Sequence, residues 1–441
     1  MGYRLGNRCA ASATIDLSIL SAPETIAGKV NRLPRNRGFQ SRRRSAAGTL
    51  IGMRIALDIR RLWEFGLATY IRNVVRTLGR IDPVNEYFLV GAAARIEQLG
   101  ALPENFHLLP LQNPEQSFAT YLEMHKVIAA HEVDLVHVPH IFWRPLITKA
   151  PFVVTVHDLL DYMYRARTNN GMRRTIHSYM TRQVMHRAAR IFAVSNFTKR
   201  DVARYFDVSA DKIEVVYNAL DESFLRGHAT PAEQAMVRGR YQVDSPFLLY
   251  AGRISPHKNV ARIIEAFSAL KAELAKDGAF PDLKLIIIGD EVSRNPDIRR
   301  AVIRSGMQHE VRFLGFVPIE VLRIFFDMAK VFVFPSLYEG FGLPPLEAMA
   351  HGTPVVASNT SALPEVVGNA ALMVNPENVF EISRALQRVL TDQSLRERLK
   401  AAGPEQAQRY SWDVSVRRMV EVYEQVVAED RQRRQGRAGS K

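Results

Sequence analysis

The sequence contains a single cysteine, Cys9, among 441 residues. An internal disulfide needs two, so no disulfide framework holds this chain, and no cysteine pair or cysteine-histidine cluster with metal spacing occurs. A reducing, cytoplasmic setting is the expectation. Uncharged apolar runs of about 18 residues are missing, which argues against a spanning helix. Residues 1–52 lack the apolar core of roughly 7 to 15 residues that a secretory signal carries, so they read as a disordered basic extension. The Gly-x-x-x-x-Gly-Lys-Ser/Thr loop of a P-loop nucleotidase is also missing.

Acidic residues are scarce at the two ends. The net charge is +14; residues 1–52 hold nine basic and two acidic residues, and residues 429–441 hold five and two. The ends therefore supply +7 and +3, leaving about +4 for the rest. A nucleic-acid binder would carry its charge on folded elements with base-reading partners, and no such module is legible. Flexible basic tails are the plainer reading, and no specific nucleic-acid partner is expected.

What is present is enough apolar material for two cores: 47% of the residues are hydrophobic, and one core rarely outgrows about 250 to 300 residues. Met53 to Ile59 reads as a first buried strand, followed by candidates at Tyr87–Val90, Leu135–Val138, Phe152–Val156, Ile191–Val194 and Ile213–Val216. Helical spacing lies between them at Thr69–Leu78, Tyr121–Ala130 and Ile176–Ala189. A second series runs through Phe247–Tyr250, Leu283–Ile288, Val311–Leu314, Val331–Phe334, Val355–Ala357 and Leu372–Val374. Alternation of strands and helices predicts an α/β fold of two Rossmann-like units facing across a cleft. The expected divisions are 53–225, 245–405, a helix in 406–428 crossing back to the first unit, and a basic tail at 429–441. Asp221 to Ser245, polar and holding Gly227, Pro231 and Gly239, is the expected linker.

The richest stretch runs from Pro335 to Ala357. A glycine loop follows a strand and leads into a helix near Leu343 or Pro344, where prolines suit the first turn. Free N–H groups at Phe341, Gly342 and Leu343, together with the positive helix end, form an anion site. Glu339 and Glu347 flank that start and suit sugar hydroxyls, although a solvated acid and a helix-dipole partner fit the same spacing. In Tyr250 to Asn259, Arg253 and Lys258 follow the first strand of the second unit, where two cations would neutralise a diphosphate. As surface basic residues they would need no ligand. No Asp-x-Asp pair is present to hold a divalent metal, so no metal or other cofactor is expected.

In the first unit, Gly66 lies in the turn after the opening strand, and His157 and Asp158 end another. Tyr162 to Arg190 contains Arg165, Arg167, Arg173, Arg174, Arg182, Arg187 and Arg190 without one acid. Such a segment suits an anionic membrane surface or a lipid-diphosphate, and equally a solvated helix face.

Together these residues resemble glycosyltransferase family 4, retaining enzymes of the GT-B fold, over about residues 53 to 425. Glu339 and Glu347 match the family's Glu-x7-Glu element, and Gly252-Arg253 to Lys258-Asn259 its diphosphate element. The resemblance implies that Glu347 binds the ribose, Glu339 the sugar, and Arg253 with Lys258 the diphosphate of a nucleotide-sugar donor. It gives the backbone at Phe341–Leu343 sugar hydroxyls and phosphate, the Phe316-Val317 backbone the base, and His157 the donor sugar. Ser195-Asn196 and Asn218 resemble further recurring elements. Gly66-Leu67-Ala68 departs from the usual Gly-x-Gly turn, which narrows the room beside the diphosphate. Retention without a visible nucleophile implies front-face displacement, with no general base assigned. The sequence looks closest to mannosyl- and rhamnosyltransferases that build surface polysaccharide on a glycan or lipid-linked acceptor, at the inner face of the membrane. GDP-mannose is the first candidate donor. A sugar-nucleotide epimerase, a phosphorylase of the same plan and a non-catalytic polyanion binder stay open as alternatives.

Overall fold

The computed structural model describes residues 52–62, 66–92, 99–113, 117–140, 148–160, 162, 171–289 and 295–439. Apart from Gly52, the N-terminal extension lies outside the described residues, as do Arg165 and Arg167; nothing is described of the Arg173 and Arg174 side chains.

Two parallel sheets organise the rest. The first has strands β1 (Arg54–Asp58), β2 (Glu86–Gly91), β3 (Phe106–Pro110), β4 (Leu135–Val138), β5 (Phe152–Val156), β6 (Arg190–Ala193) and β7 (Ile213–Val215), in the order β3-β2-β1-β4-β5-β6-β7. The second has β8 (Phe247–Ala251), β9 (Lys284–Ile288), β10 (Val311–Gly315), β11 (Val331–Phe334), β12 (Val355–Ser358) and β13 (Ala371–Val374), in the order β10-β9-β8-β11-β12-β13. Central strands such as β5, β8 and β11 are buried at every residue, as continuous apolar runs covered on both faces must be. Chain order reverses between β1 and β4 and between β8 and β11. Ligands of open α/β sheets bind outside the carboxyl ends at those points.

The edge strand β3 has no counterpart among the expected strands. Its sequence Phe-His-Leu-Leu-Pro leaves His107 and Leu108 incompletely buried, so it lacks the unbroken apolar run that marks its neighbours. The polar segment 221–245 is also more ordered than a linker. Thr230 accepts from the Glu233 N–H, while Glu233 accepts from Thr230, a reciprocal cap that starts the helix Pro231–Tyr241. Phe224, Val237 and Val243 are buried in the second core.

The helix Trp412–Gly439 packs on the first sheet. Trp412, Val416, Met419, Val422, Tyr423, Val426 and Val427 recur at three- and four-residue intervals and join the core beside Tyr70, Ile71 and Val75. Tyr423 also meets His137 Nδ1 at 2.7 Å, His137 Nε2 meets Thr155 at 2.8 Å, and Thr155 meets the Tyr70 hydroxyl at 3.1 Å. Burial holds His137 at about 3, so this internal chain is uncharged. The expectation of a flexible tail after 429 is corrected for the described residues. The helix continues, with Glu429 accepting from Arg190 at 2.6 Å, Arg431 reaching Asp134 at 3.2 Å and Arg434 donating to the Lys149 carbonyl at 2.7 Å. Glu429, Arg431 and Arg434 thus have partners on the first unit.

Met419→Ala should destabilise the protein by about 2 to 5 kcal/mol, because a fully buried side chain would leave a cavity under the crossing helix. Urea unfolding measures it; a change below about 0.5 kcal/mol would contradict the packing described.

Candidate active site

The turn after β8 and the loop after β11 are stitched together before any ligand is considered. Asn259 Nδ2 donates to the Pro335 carbonyl at 3.0 Å and to the Pro376 carbonyl at 2.6 Å, and Leu337 N–H donates to the His257 carbonyl at 2.7 Å. These bonds place Lys258 beside Glu339, with Nζ 2.6 Å from Oε1 and the ammonium 5.2 Å from the centre of the Phe334 ring. Both side chains are largely buried. Such a pair offsets its own desolvation only through good geometry and further partners. The Glu339 backbone is fixed too, its N–H donating to Ser361 Oγ at 3.0 Å.

Arg253 is exposed at the end of β8, and its charge is felt by His257. Burial, then the positive charge of Lys258, lowers the His257 imidazole to about 4. Arg253, His257, Lys258 and Glu339 therefore form one electrostatic neighbourhood, and His257 is a member that motif spacing missed.

The helix Leu343–Ala350 begins at Gly342, whose φ of 110° lies outside the range L side chains adopt readily. Prolines occupy its first turn and no side chain caps it. Its amino end thus keeps its positive partial charge available. Glu347 sits in the second turn. It keeps part of its surface open, yet burial raises its carboxyl to about 8, and the negative charge of Asp221 adds to the rise. Asp221 itself accepts from Asn73 Nδ2 at 3.1 Å, on the helix Leu67–Ile81 that starts at Gly66.

Gly340 is where the two units meet. A Cβ built there would fall 1.7 Å from the His157 carbonyl oxygen, so only hydrogen fits. Ser195 Oγ donates to the Gly340 carbonyl at 2.6 Å and Thr198 Oγ1 at 3.1 Å. Glu365 accepts from the N–H groups of Asn196 and Phe197 at 2.9 and 3.2 Å, capping the helix Asn196–Phe206 from the opposite unit. Tyr217 donates to Glu365 at 2.8 Å, and Tyr338 to Asp201 at 2.6 Å.

His157 is partly buried and donates from Nε2 to the Pro139 carbonyl at 3.0 Å, because a carbonyl only accepts. Burial lowers it to about 4, so it is neutral near pH 7, with a lone pair on Nδ1. Asp58 and Arg60, at the end of β1, are also buried; burial pushes the Asp58 carboxyl up, but the Arg60 guanidinium at 2.7 Å holds it at about 2.

The expected residues do not all converge. Lys258, Glu339 and the Phe341–Leu343 backbone lie on adjoining loops, and Gly340 touches the His157 backbone. The Phe341 side chain is turned into an aromatic cluster, with ring centres 6.3 Å from Tyr217 and 5.3 Å from Tyr410, which leaves only its backbone for a ligand. Val317 is buried in the second core after β10, the far edge of its sheet, while Phe316 is 71% exposed.

A carboxyl held at about 8 in the fold, against an ordinary 4.5, favours folding while protonated and opposes it once ionised. The contribution of Glu347 to the stability of the ligand-free protein should therefore fall as pH rises from 4.5 to 8, and Glu347→Gln should lose that part of the pH dependence. Identical pH profiles of melting temperature in both proteins would refute this. Gly340→Ala should cost more stability than Ser195→Ala, whose loss of one hydrogen bond is worth about 1 kcal/mol; urea unfolding ranks them.

The comparisons with known proteins agree with the geometry. Residues 66–224 match the model of Glycosyltransferase Family 4, and residues 233–406 that of Glycosyl transferases group 1. O-antigen chain mannosyltransferase B of Escherichia coli is 34% identical over 277 residues, 62% of this chain and 69% of that protein. The serotype-specific mannosyltransferase WbdA of Escherichia coli is 31% identical over 290 residues, 65% of this chain; the chain spans only 35% of its length. Among solved structures, HepE of Anabaena in complex with UDP-glucose superposes with a TM-score of 0.67 at 18% identity, covering 85% of this chain and all of that one. The two switch-point crevices and the stitched loops after β8 and β11 therefore belong to a GT-B enzyme, and the chain is a glycosyltransferase of family 4, group 1.

Proposed function

We propose that the chain transfers a mannosyl unit from GDP-mannose, with retention of configuration, to a glycan or lipid-linked saccharide during surface polysaccharide synthesis. The observation that carries the diphosphate assignment is the meeting of Lys258 and Glu339 beside an uncapped helix start. A donor phosphate there would take up the Lys258 ammonium and the free N–H groups, with Arg253 adding charge from the exposed side. Glu339, released from its partner, would accept from sugar hydroxyls, and Glu347 from the ribose. Fixed positive groups stabilise the negative charge that grows on the leaving diphosphate as the glycosyl bond breaks. In front-face displacement the departing phosphate oxygen takes the acceptor's proton, so no side chain is assigned as base and no metal is required. The two mannosyltransferase relatives support mannose as the sugar; the base rests on the sequence resemblance.

No helix among the described residues is long and apolar enough to cross a membrane. Attachment to the inner membrane face would then be peripheral. The helix Gly171–Arg187 carries no acid and exposes Ile176 and Tyr179, which supports contact with anionic headgroups, although Arg182 pairs with Asp207 at 3.0 Å.

GDP release from GDP-mannose, followed by chromatography with and without mannosylated acceptor, tests the reading. Release should depend on acceptor; conversion of donor without acceptor would favour an epimerase and sink the transferase. Arg253→Ala, at an exposed position, should weaken GDP binding by about tenfold, or 1.4 kcal/mol, in protein that still unfolds cooperatively above the assay temperature. Unchanged binding by calorimetry would remove Arg253 from the diphosphate site.

A further inference from the structure

His228, Asp327 and His351 come from three separate segments and lie on the far end of the helix that starts the candidate diphosphate site. His228 precedes the helix Pro231–Tyr241, Asp327 ends the helix Ile319–Met328, and His351 is the C-cap of Leu343–Ala350. One candidate ligand atom from each lies within 4.8 Å of the others. Asp327 Oδ1 is 2.7 Å from His228 Nδ1 and 2.9 Å from His351 Nδ1, and Oδ2 accepts from the Ala229 N–H at 2.6 Å. We propose that these three side chains form a binding site for a divalent transition metal of the zinc type, clipping segment 221–230 to the second unit.

Two observations support it. Two imidazoles and a carboxylate are the donor set that zinc takes. The second oxygen of Asp327 is already oriented by a backbone donor, the kind of outer support ligating carboxylates have.

Access and electrostatics fit as well. A cavity of about 150 Å³ adjoins the cluster, lined in part by His228, His351, Phe224 and Gln408, and His228 is exposed on its outer side. That leaves space for water as a fourth ligand. With bonds of about 2.0 to 2.1 Å, tetrahedral ligand atoms stand about 3.3 Å apart, so each contact need open by only about half an ångström. Both Nδ1 atoms now point their protons at a carboxylate oxygen, which only accepts; coordination moves each proton to Nε2 and leaves the imidazoles neutral. The last carbonyls of Leu343–Ala350 carry partial negative charge, so a cation is favoured at this end as an anion is at the other. The helix spans about 12 Å at 1.5 Å per residue, which keeps the metal away from the transfer chemistry.

The full chain, untagged and stripped with chelator, should bind about one zinc ion per molecule in a calorimetric titration, and zinc but not magnesium should raise its melting temperature. His228→Ala, on an exposed loop, should fold normally, bind zinc at least about tenfold more weakly and lose the thermal shift. Absence of saturable zinc binding, or equal binding by His228→Ala, would overturn the assignment and leave an ordinary hydrogen-bonded triad.

Discussion

The α-carbon of Gly340 packs against the carbonyl of His157 with no room for a methyl group. That approach sets the spacing between the carboxyl edges of the two sheets, because Gly340 belongs to the loop after β11 and His157 ends β5. Two of the groups proposed to bind the donor adjoin it in sequence. Glu339 precedes Gly340, the helix start follows it, and the Ser195 and Thr198 hydroxyls hold its carbonyl from the first unit. A larger residue would push the loop away from the first sheet and move Glu339 and the helix start together.

The charges around that contact are balanced rather than simply positive. Lys258 and Glu339 neutralise one another in a largely buried place, where leaving either alone would cost several kcal/mol. Such a pair is poised for exchange: an arriving phosphate can replace the carboxylate as partner of the ammonium while sugar hydroxyls satisfy the carboxylate. Glu347 stands differently. Burial, with the negative charge of Asp221 adding to it, holds it toward the protonated form, and so it can donate as well as accept near neutral pH. Of two glutamates eight residues apart, one thus meets a lysine and the other a buried setting beside an aspartate.

Much of this was legible in the sequence, and the exceptions have physical reasons. Continuous apolar runs marked the central strands because a strand covered on both faces has no polar face to show. The same rule failed for β3, an edge strand with His107 half-covered. Prolines and glycines around Leu343 announced the helix start, since they act through local backbone geometry. The Thr230 and Glu233 pair was an equally local signal for the helix in the supposed linker, outweighed by the polarity around it. What spacing cannot show is pairing across the fold. Asp327 lies 99 residues from His228 and 24 from His351, and Glu365 caps a helix start 169 residues earlier. Nor could the residue type reveal that the ring of Phe341 turns away from the site while its backbone stays.

The two ways in which the units are joined differ in kind. On one side the crossing helix buries seven apolar side chains against the first sheet, each worth about 1.5 to 3 kcal/mol when fully buried. On the other, beside the ring pairs Phe197–Tyr338 and Tyr217–Phe341, the contact is made by polar groups: Glu365 with backbone N–H groups, Tyr338 with Asp201, and two hydroxyls with one carbonyl. Water can satisfy every one of those groups, so separating them costs only the net worth of each bond, about 1 kcal/mol, while peeling off the helix exposes surface that water cannot satisfy. Separating the units there would expose groups that water can take up, whereas the crossing helix and the ordered segment 221–245 are held by buried apolar side chains. The residues proposed to bind the donor adjoin the ones that close this contact, so closure and donor capture would draw on neighbouring hydrogen bonds.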